Sequence, residues 1–193
     1  MLIVGLTGSI AMGKSRVARM FRAHGVPVFD ADAAVHALFA PGGRAVETVR
    51  HRFGDVLHPS GGIDRRRLGA VVLGDAAALA ALERIVHPLV RAEQRRFLEA
   101  QCRARRQLVV LDIPLLLESD GRERVDCVLV VSAHPALQRA RALSRPGMTL
   151  AKLDAILAKQ MPDAQKRKRA DFVIPSGHDR GLTSSYVGRL ILE

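Results

Sequence analysis

The sequence predicts an α/β fold, a largely parallel sheet flanked by helices, and three observations predict it. A short apolar run, Leu2 to Leu6, passes through a glycine turn into a helical pattern from Lys14 and then into a second apolar run, Val26 to Phe29. Alternation of β-branched strands with helical periodicity resumes after about residue 105. Between these regions, residues of about 32–104 carry helical periodicity alone, as a helical insertion would.

In the first helix, Val17, Ala18, Met20 and Phe21 recur at helical spacing, and Gly25 ends the pattern before the second strand. The insertion is interrupted at Pro41 to Gly43, Asp55 to Ile63, near Gly74, and at His87 to Pro88. Leu108 to Asp112 and Cys127 to Val131 read as apolar strands, and Pro135 to Leu143 as a helix. The polar stretch Arg145 to Arg169 contains a helix from about Thr149 to Lys159, with Thr149 as N-cap, and reads as an arginine-rich lid. Phe172 to Ile174 forms the last strand. The closing helix, about Asp179 to Leu192, places Leu182, Tyr186, Leu190 and Ile191 on one side, to pack on the sheet. A single domain follows, with core segments 1–31, 105–140 and 170–193, the insertion at about 32–104 and the lid at about 141–169.

A length of 193 residues with 48% hydrophobic content suits one good core. The apolar runs are too short and interrupted to cross a bilayer. The start, MLIVGLTGSIAMGKS, lacks a basic stretch ahead of its apolar run, so no secretory leader is expected and the expected compartment is the cytoplasm. Cys102 and Cys127 lack metal-site spacing and read as buried thiols outside any disulfide framework. The net charge of +11 admits nucleic acid, an anionic surface or small polyphosphates as partners. Arginines spread over several helices, with aromatics at only 4%, favour phosphate handling over base reading. Many of those arginines need do no more than solvate a helix face.

Gly8 through Ser15 spells GSIAMGKS, matching G-x-x-x-x-G-K-S/T in the setting that pattern needs, directly after a strand and opening a helix. Gly8 and Gly13 permit turns that side chains would obstruct. Successive N–H groups through Ala11, Met12, Gly13, Lys14, Ser15 and Arg16 can then converge on phosphate oxygens at the helix N-terminus. Lys14 supplies a mobile charge to the β and γ phosphates, and Ser15 a hydroxyl to Mg²⁺. The loop by itself establishes only that a nucleotide binds.

The second strand carries Asp30 and Asp32 to its carboxyl edge, where ligands collect in open α/β sheets. A carboxylate there can aim an acceptor hydroxyl at the terminal phosphate and take its proton, which makes Asp32 the candidate base. An N-cap for a helix beginning near Ala33 is its structural alternative. Asp112 ends the strand LVVLD, where it either holds Mg²⁺ through water or simply terminates the strand.

GLTGSIAMGKS, VPVFDADAAVHAL, GGIDRRRL, LERIVHP, VLDIPLLLES and the stretch Gln160 to Asp171 together resemble the dephospho-CoA kinase family over nearly the whole chain. Most specific are D-A-D-x-x-x-H at Asp30 to His36, L-E-x-I-x-H-P at Leu82 to Pro88, and P-L-L-x-E at Pro114 to Glu118. The resemblance implies a P-loop kinase-type sheet and Mg²⁺-dependent transfer of the ATP γ-phosphoryl group to the ribose 3′-hydroxyl of dephospho-CoA, the last step of coenzyme A synthesis. It implies Asp32 as base, with Arg65 and His87 in the acceptor site and Pro114 and Leu115 in a wall beside it. It also implies that Arg141 and Arg145, one helical turn apart, meet the triphosphate as the lid closes, with Arg145 rather than Arg139 stabilising transfer. Gln160 and Lys166 match family positions too. Arg65 equally fits a solvated run of three arginines, His87 a cap at a helix break, and Glu118 a surface acid. The chain departs from the family in carrying Ser9, Ala11 and Met12 where glycine is more usual and Arg16 where Thr is common. ADFVIPSG, at Ala170 to Gly177, lacks the Asn expected after its strand, so ATP rather than GTP rests on the resemblance.

Two other readings share parts of this pattern. Another P-loop kinase acting on a nucleoside or nucleotide would use the same Lys14, Ser15 and lid arginines, and the insertion motifs discriminate against it. A nucleic-acid-associated NTPase is prompted by the charge alone. Expected partners are therefore small molecules, ATP and dephospho-CoA, with no nucleic acid and no membrane; the oligomeric state stays open, a monomer included.

Overall fold

Apolar strands with no charge inside them are buried on both faces only when helices cover both sides of a parallel sheet. The computed structural model describes residues 1–177 and 179–192, without the side chains of residues 120 and 180. Its elements are β1 (Leu2–Thr7), α1 (Lys14–Ala23), β2 (Val28–Asp30), α2 (Ala31–Phe39), α3 (Val46–Phe53), α4 (Arg65–Val72), α5 (Ala76–Arg103) and β3 (Leu108–Asp112). A short 3-10 turn then leads to β4 (Cys127–Ser132), α6 (Pro135–Leu143), α7 (Leu150–Ala158), α8 (Asp163–Lys168), β5 (Phe172–Pro175) and α9 (Arg180–Leu192). The five strands lie in the order β2-β3-β1-β4-β5. β1 runs parallel to both β3 and β4, and β4 parallel to β5. The β1–β3 register sets Leu6 beside Asp112, so the phosphate-loop strand and the Asp112 strand finish together.

The chain divides into two units. Residues 1–29 and those from Gln101 on form the first, whose core joins Val4 and Leu6 of β1, Val17 and Phe21 of α1, Val110, Leu129, Val131, Ile174 and Val187. Residues 30–100 form the second, with its own core of Leu38, Phe39, Val49, Val56, Leu68, Val72 and Val86. Burying each such side chain is worth roughly 1.5–3 kcal/mol, enough over a cluster to order short helices.

The elements depart from expectation where packing overrides local signals. No break occurs at His87 to Pro88, because α5 runs its 28 residues straight through Pro88. The lost N–H and ring clash, about 3 kcal/mol, are offset by Val86, Leu89 and Val90, which pack on the second core. His87 is an exposed residue inside a continuous helix and caps nothing. On α9 the buried positions are Thr183 and Val187, with Leu190 and Ile191 packed against the core. Leu182 and Tyr186 are exposed instead, and Arg189 stacks over the Tyr186 ring at 4.8 Å. The stretch after α7 forms a further helix, α8, which its run of Lys and Arg concealed. Neither thiol is fully buried: Cys102 is exposed and Cys127 half-buried, with the Cys127 pKa pushed up by burial and then by Asp171 and Asp126.

Candidate active site

The loop between β1 and α1 is built from close approaches. A methyl carbon at Gly8 would sit 2.7 Å from the Val131 carbonyl oxygen, so only glycine lets β1 turn against β4. Gly8→Ala is therefore expected to destabilise the chain by about 1–3 kcal/mol, read as a lower midpoint in thermal unfolding; an unchanged midpoint would show that the loop yields. Thr7, fully buried, donates its hydroxyl to the Pro114 carbonyl at 2.9 Å, tying the end of β1 to the PLLLE segment. Gly13 caps α1 with φ of 91° and no side-chain bond, and no acid occupies the first turn. The Arg16 and Val17 N–H groups donate to the Gly13 carbonyl, which leaves the Lys14 and Ser15 N–H groups to make this end an anion site.

Ala11 adopts φ of 61°, a left-handed conformation that costs an L-residue about 1–2 kcal/mol. Its methyl is buried with Ala142 of α6 and Leu153 of α7, and Ile10, Met148 and Leu157 pack around them. The peptides on either side are held by side chains. Ile10 N–H donates to Gln160 Oε1 at 3.0 Å, Gln138 Nε2 donates to the Ile10 carbonyl at 2.9 Å, and Ser176 Oγ donates to the Met12 carbonyl at 2.5 Å.

Charge gathers around this loop. Lys14 Nζ lies 2.5 Å from Asp112 Oδ1, and the two side chains are 14% and 3% exposed. Asp112 is thus a buried partner of the loop lysine and not a solvated strand end. Arg141 donates from Nη1 to Ser176 Oγ at 3.2 Å and from Nη2 to the Ser176 carbonyl at 2.9 Å. Burial lowers the Arg141 pKa, and the neighbouring Arg16 charge lowers it further. Two guanidiniums close enough to disfavour each other are relieved by an anion. Arg16 Nη2 meanwhile donates to Thr183 Oγ1 at 3.0 Å.

Residues 141–169, expected as an arginine-rich lid, contribute differently from their composition. α7 carries no arginine, and its buried Leu153 packs beside Ala11. Arg145 follows α6 and its cap Ser144 and is exposed, while Arg139 pairs with Asp154 at 3.1 Å in an exposed contact of little energetic weight. Lys166, fully buried on α8, places Nζ 2.8 Å from Glu118 Oε1, the oxygen that also accepts Met161 N–H. That pair sits at ion-pair distance without hydrogen-bond alignment. Glu118 is accordingly an anchor and not a surface acid. Leu115, three residues earlier, is 47% exposed.

Within the second unit, Asp30 accepts Ala33 N–H at 3.0 Å and is the N-cap of α2, so the cap reading does not apply to Asp32. Asp32 lies exposed in the first turn, with His36 one turn further on the same face. Arg65, the first residue of α4, sets Nη1 2.5 Å from His36 Nε2. The neighbouring Arg67 pairs with Asp55 at 3.0 Å, so the three arginines are not one uniform solvated run. The Asp64 cap accepts the Arg66 and Arg67 N–H groups, and those bonds hold its carboxyl below the usual range, that of Arg67 first.

The structure gathers Gly8, Ala11, Met12, Gly13, Lys14, Ser15, Arg16, Asp112, Pro114 and Arg141 around one loop in the first unit. In the second, Arg65 meets His36, Asp32 lies one turn before His36 on α2, and His87 is exposed on α5. Gln138, Ser176 and His36 escaped sequence reasoning as site residues. Two of them left a signal: His36 ends the D-A-D-x-x-x-H motif, and Gln138 precedes Arg141 by three residues on α6 and so shares its face. Among the described residues no group of three or more side chains forms a metal cage. The Ser15 hydroxyl and Asp112 carboxylate are hard oxygen donors, which suits an ion that draws its other ligands from phosphates and water.

A parallel sheet with this loop after its first strand and a lysine at the helix start defines a P-loop nucleotide-binding protein. Shikimate kinase from Bacteroides thetaiotaomicron shares the fold at a TM-score of 0.51 and 16% identity, over 98% of this chain and 96% of that one. The Dephospho-CoA kinase family model matches residues 2–179, and the chain belongs to that family. It is 52% identical to the dephospho-CoA kinase of Mesorhizobium japonicum, over 100% of this chain and 96% of the relative. Dephospho-CoA kinase from Campylobacter jejuni superposes at a TM-score of 0.74 with 26% identity, over 99% of this chain and 96% of that one.

Proposed function

We propose that the chain transfers the γ-phosphoryl group of ATP to the ribose 3′-hydroxyl of dephospho-CoA, giving coenzyme A. Family membership across residues 2–179 carries this reading. The start of α1, where no side chain bonds the first N–H groups, and the Lys14–Asp112 pair support the nucleotide half of it.

In this reading the α1 amides take the phosphate oxygens, and Lys14 exchanges its Asp112 partner for the phosphates. Mg²⁺, when bound, would offset the phosphate charge. Ser15 and Asp112 are the residues to hold it. Arg141 and Arg16 meet the polyphosphate, and Arg145 reaches it when residues 141–169 close as a lid that also excludes water. Asp32 takes the proton from the acceptor hydroxyl, while Arg65, His87, Pro114 and Leu115 hold the acceptor.

The partners are then small molecules, and the surplus positive charge serves their phosphates rather than nucleic acid. A monomer suffices, and the reaction belongs in the cytoplasm, where ATP is at hand. No described helix is long and apolar enough to cross a membrane.

Mass analysis of dephospho-CoA incubated with the protein, ATP and Mg²⁺ should show the gain of one phosphate, and a parallel panel of nucleosides and nucleoside monophosphates should show none. Phosphorylation of a panel member in place of dephospho-CoA would overturn the assignment.

A further inference from the structure

The phosphate loop is held by two glutamines that the transfer mechanism does not use. A backbone N–H can only donate and a carbonyl can only accept, so the orientation of each glutamine amide is forced by its partner. Gln160 meets Ile10 N–H with its carbonyl, and Gln138 meets the Ile10 carbonyl with its amide nitrogen. Gln138 is 7% exposed, so water does not compete for its bond. The next residue, Ala11, is the one in a left-handed conformation. Such a conformation persists where its surroundings over-determine it. On the far side of the same residue the Met12 N–H donates to the Ser9 carbonyl at 3.2 Å, and Ser176 holds the Met12 carbonyl one peptide further on. Gln160 follows α7 and precedes Met161, whose N–H is anchored on Glu118. The acceptor for Ile10 N–H therefore belongs to the lid segment itself.

We propose that Gln138 and Gln160 are positioning residues that jointly set the two peptides flanking Ile10 and, through Ala11, aim the following amides at the polyphosphate. Gln160 thereby couples the lid to the phosphate loop. This inference rests on the reading that the loop binds ATP.

The test is titration of the full-length protein with ATP, and separately with inorganic tripolyphosphate, in the absence of acceptor. Gln138→Met and Gln160→Met keep side-chain length and remove the bond. Each is expected to raise both dissociation constants about tenfold, with KM for ATP rising in parallel and KM for the acceptor within about twofold of wild type. A second comparison isolates bond polarity from charge. Gln160→Glu keeps an acceptor for Ile10 N–H, whereas Gln138→Glu sets a carboxylate against the Ile10 carbonyl, and both add one negative charge beside the same residue. Gln138→Glu should therefore weaken ATP about tenfold more than Gln160→Glu. Unchanged affinities with a lowered melting temperature would make the pair merely structural and overturn the proposal, as would equal effects of the two Glu variants. Should Gln138→Met not fold, Gln160→Met at its half-buried position decides alone. Failure of the wild-type protein to bind ATP overturns the functional reading as well, whereas normal wild-type binding with unaffected variants overturns this inference only.

Discussion

Asp32→Asn is expected to lower kcat by about 10²–10⁴-fold, the usual contribution of a general base, while ATP affinity stays within about twofold of wild type. Asparagine matches the shape of aspartate and keeps its hydrogen-bonding reach but cannot take the acceptor's proton. The fold lets this substitution report chemistry cleanly. Asp30, not Asp32, accepts the Ala33 N–H, so α2 keeps its cap in the variant. Loss of one carboxylate from the first turn weakens the helix only through its dipole, by about 0.3–1 kcal/mol for an exposed residue, and melting should move little. Steady-state kinetics with both substrates and calorimetric titration of ATP check the prediction. Lost ATP affinity would place Asp32 on the nucleotide, and retained kcat would give the proton to another base.

The sheet and the loop were legible because their signals are local. Leu108–Asp112 and Pro135–Leu143 fall where β-branching and helical spacing set them, and Thr149 caps α7 as its position before the helix implies, accepting Lys152 N–H. GSIAMGKS is a local signal too, since its chemistry lies in the backbone of consecutive residues. What stayed hidden depends on partners distant in sequence. Lys166 and Glu118 look like surface charges until α8 buries them beside each other, 48 positions of chain having folded back to do so. Ser176 lies in the segment Ala170 to Gly177, which lacks the expected asparagine, and nothing local reveals that its hydroxyl braces Met12, far away in sequence. Pro88 misled in the opposite direction: proline is a strong local breaker, yet the apolar face around Val86 and Leu89 outweighs it. On α9, Leu182 and Tyr186 drew attention by size, while the smaller Thr183 and Val187 take the buried face.

Lys14→Ala is expected to abolish transfer, with kcat falling by at least about 10²–10³-fold, as when one preorganised group facing the developing charge is lost. The ion pair adds a second consequence. Asp112 is 3% exposed and its carboxylate lies 2.5 Å from Lys14 Nζ. Removing the lysine strips a buried carboxylate of that counter-charge, a change that costs about 3–5 kcal/mol when one partner of a buried pair is deleted. Lower activity in the single variant could then reflect a damaged fold. Lys14→Ala combined with Asp112→Asn separates the two effects, because it removes both charges and should recover much of the lost melting temperature. Transfer should stay abolished in the double variant, since the phosphates still lack Lys14 and the Mg²⁺ site also loses the Asp112 carboxylate. Recovery of transfer together with stability would mean that Lys14 serves only to neutralise Asp112, and its role on the nucleotide would fall.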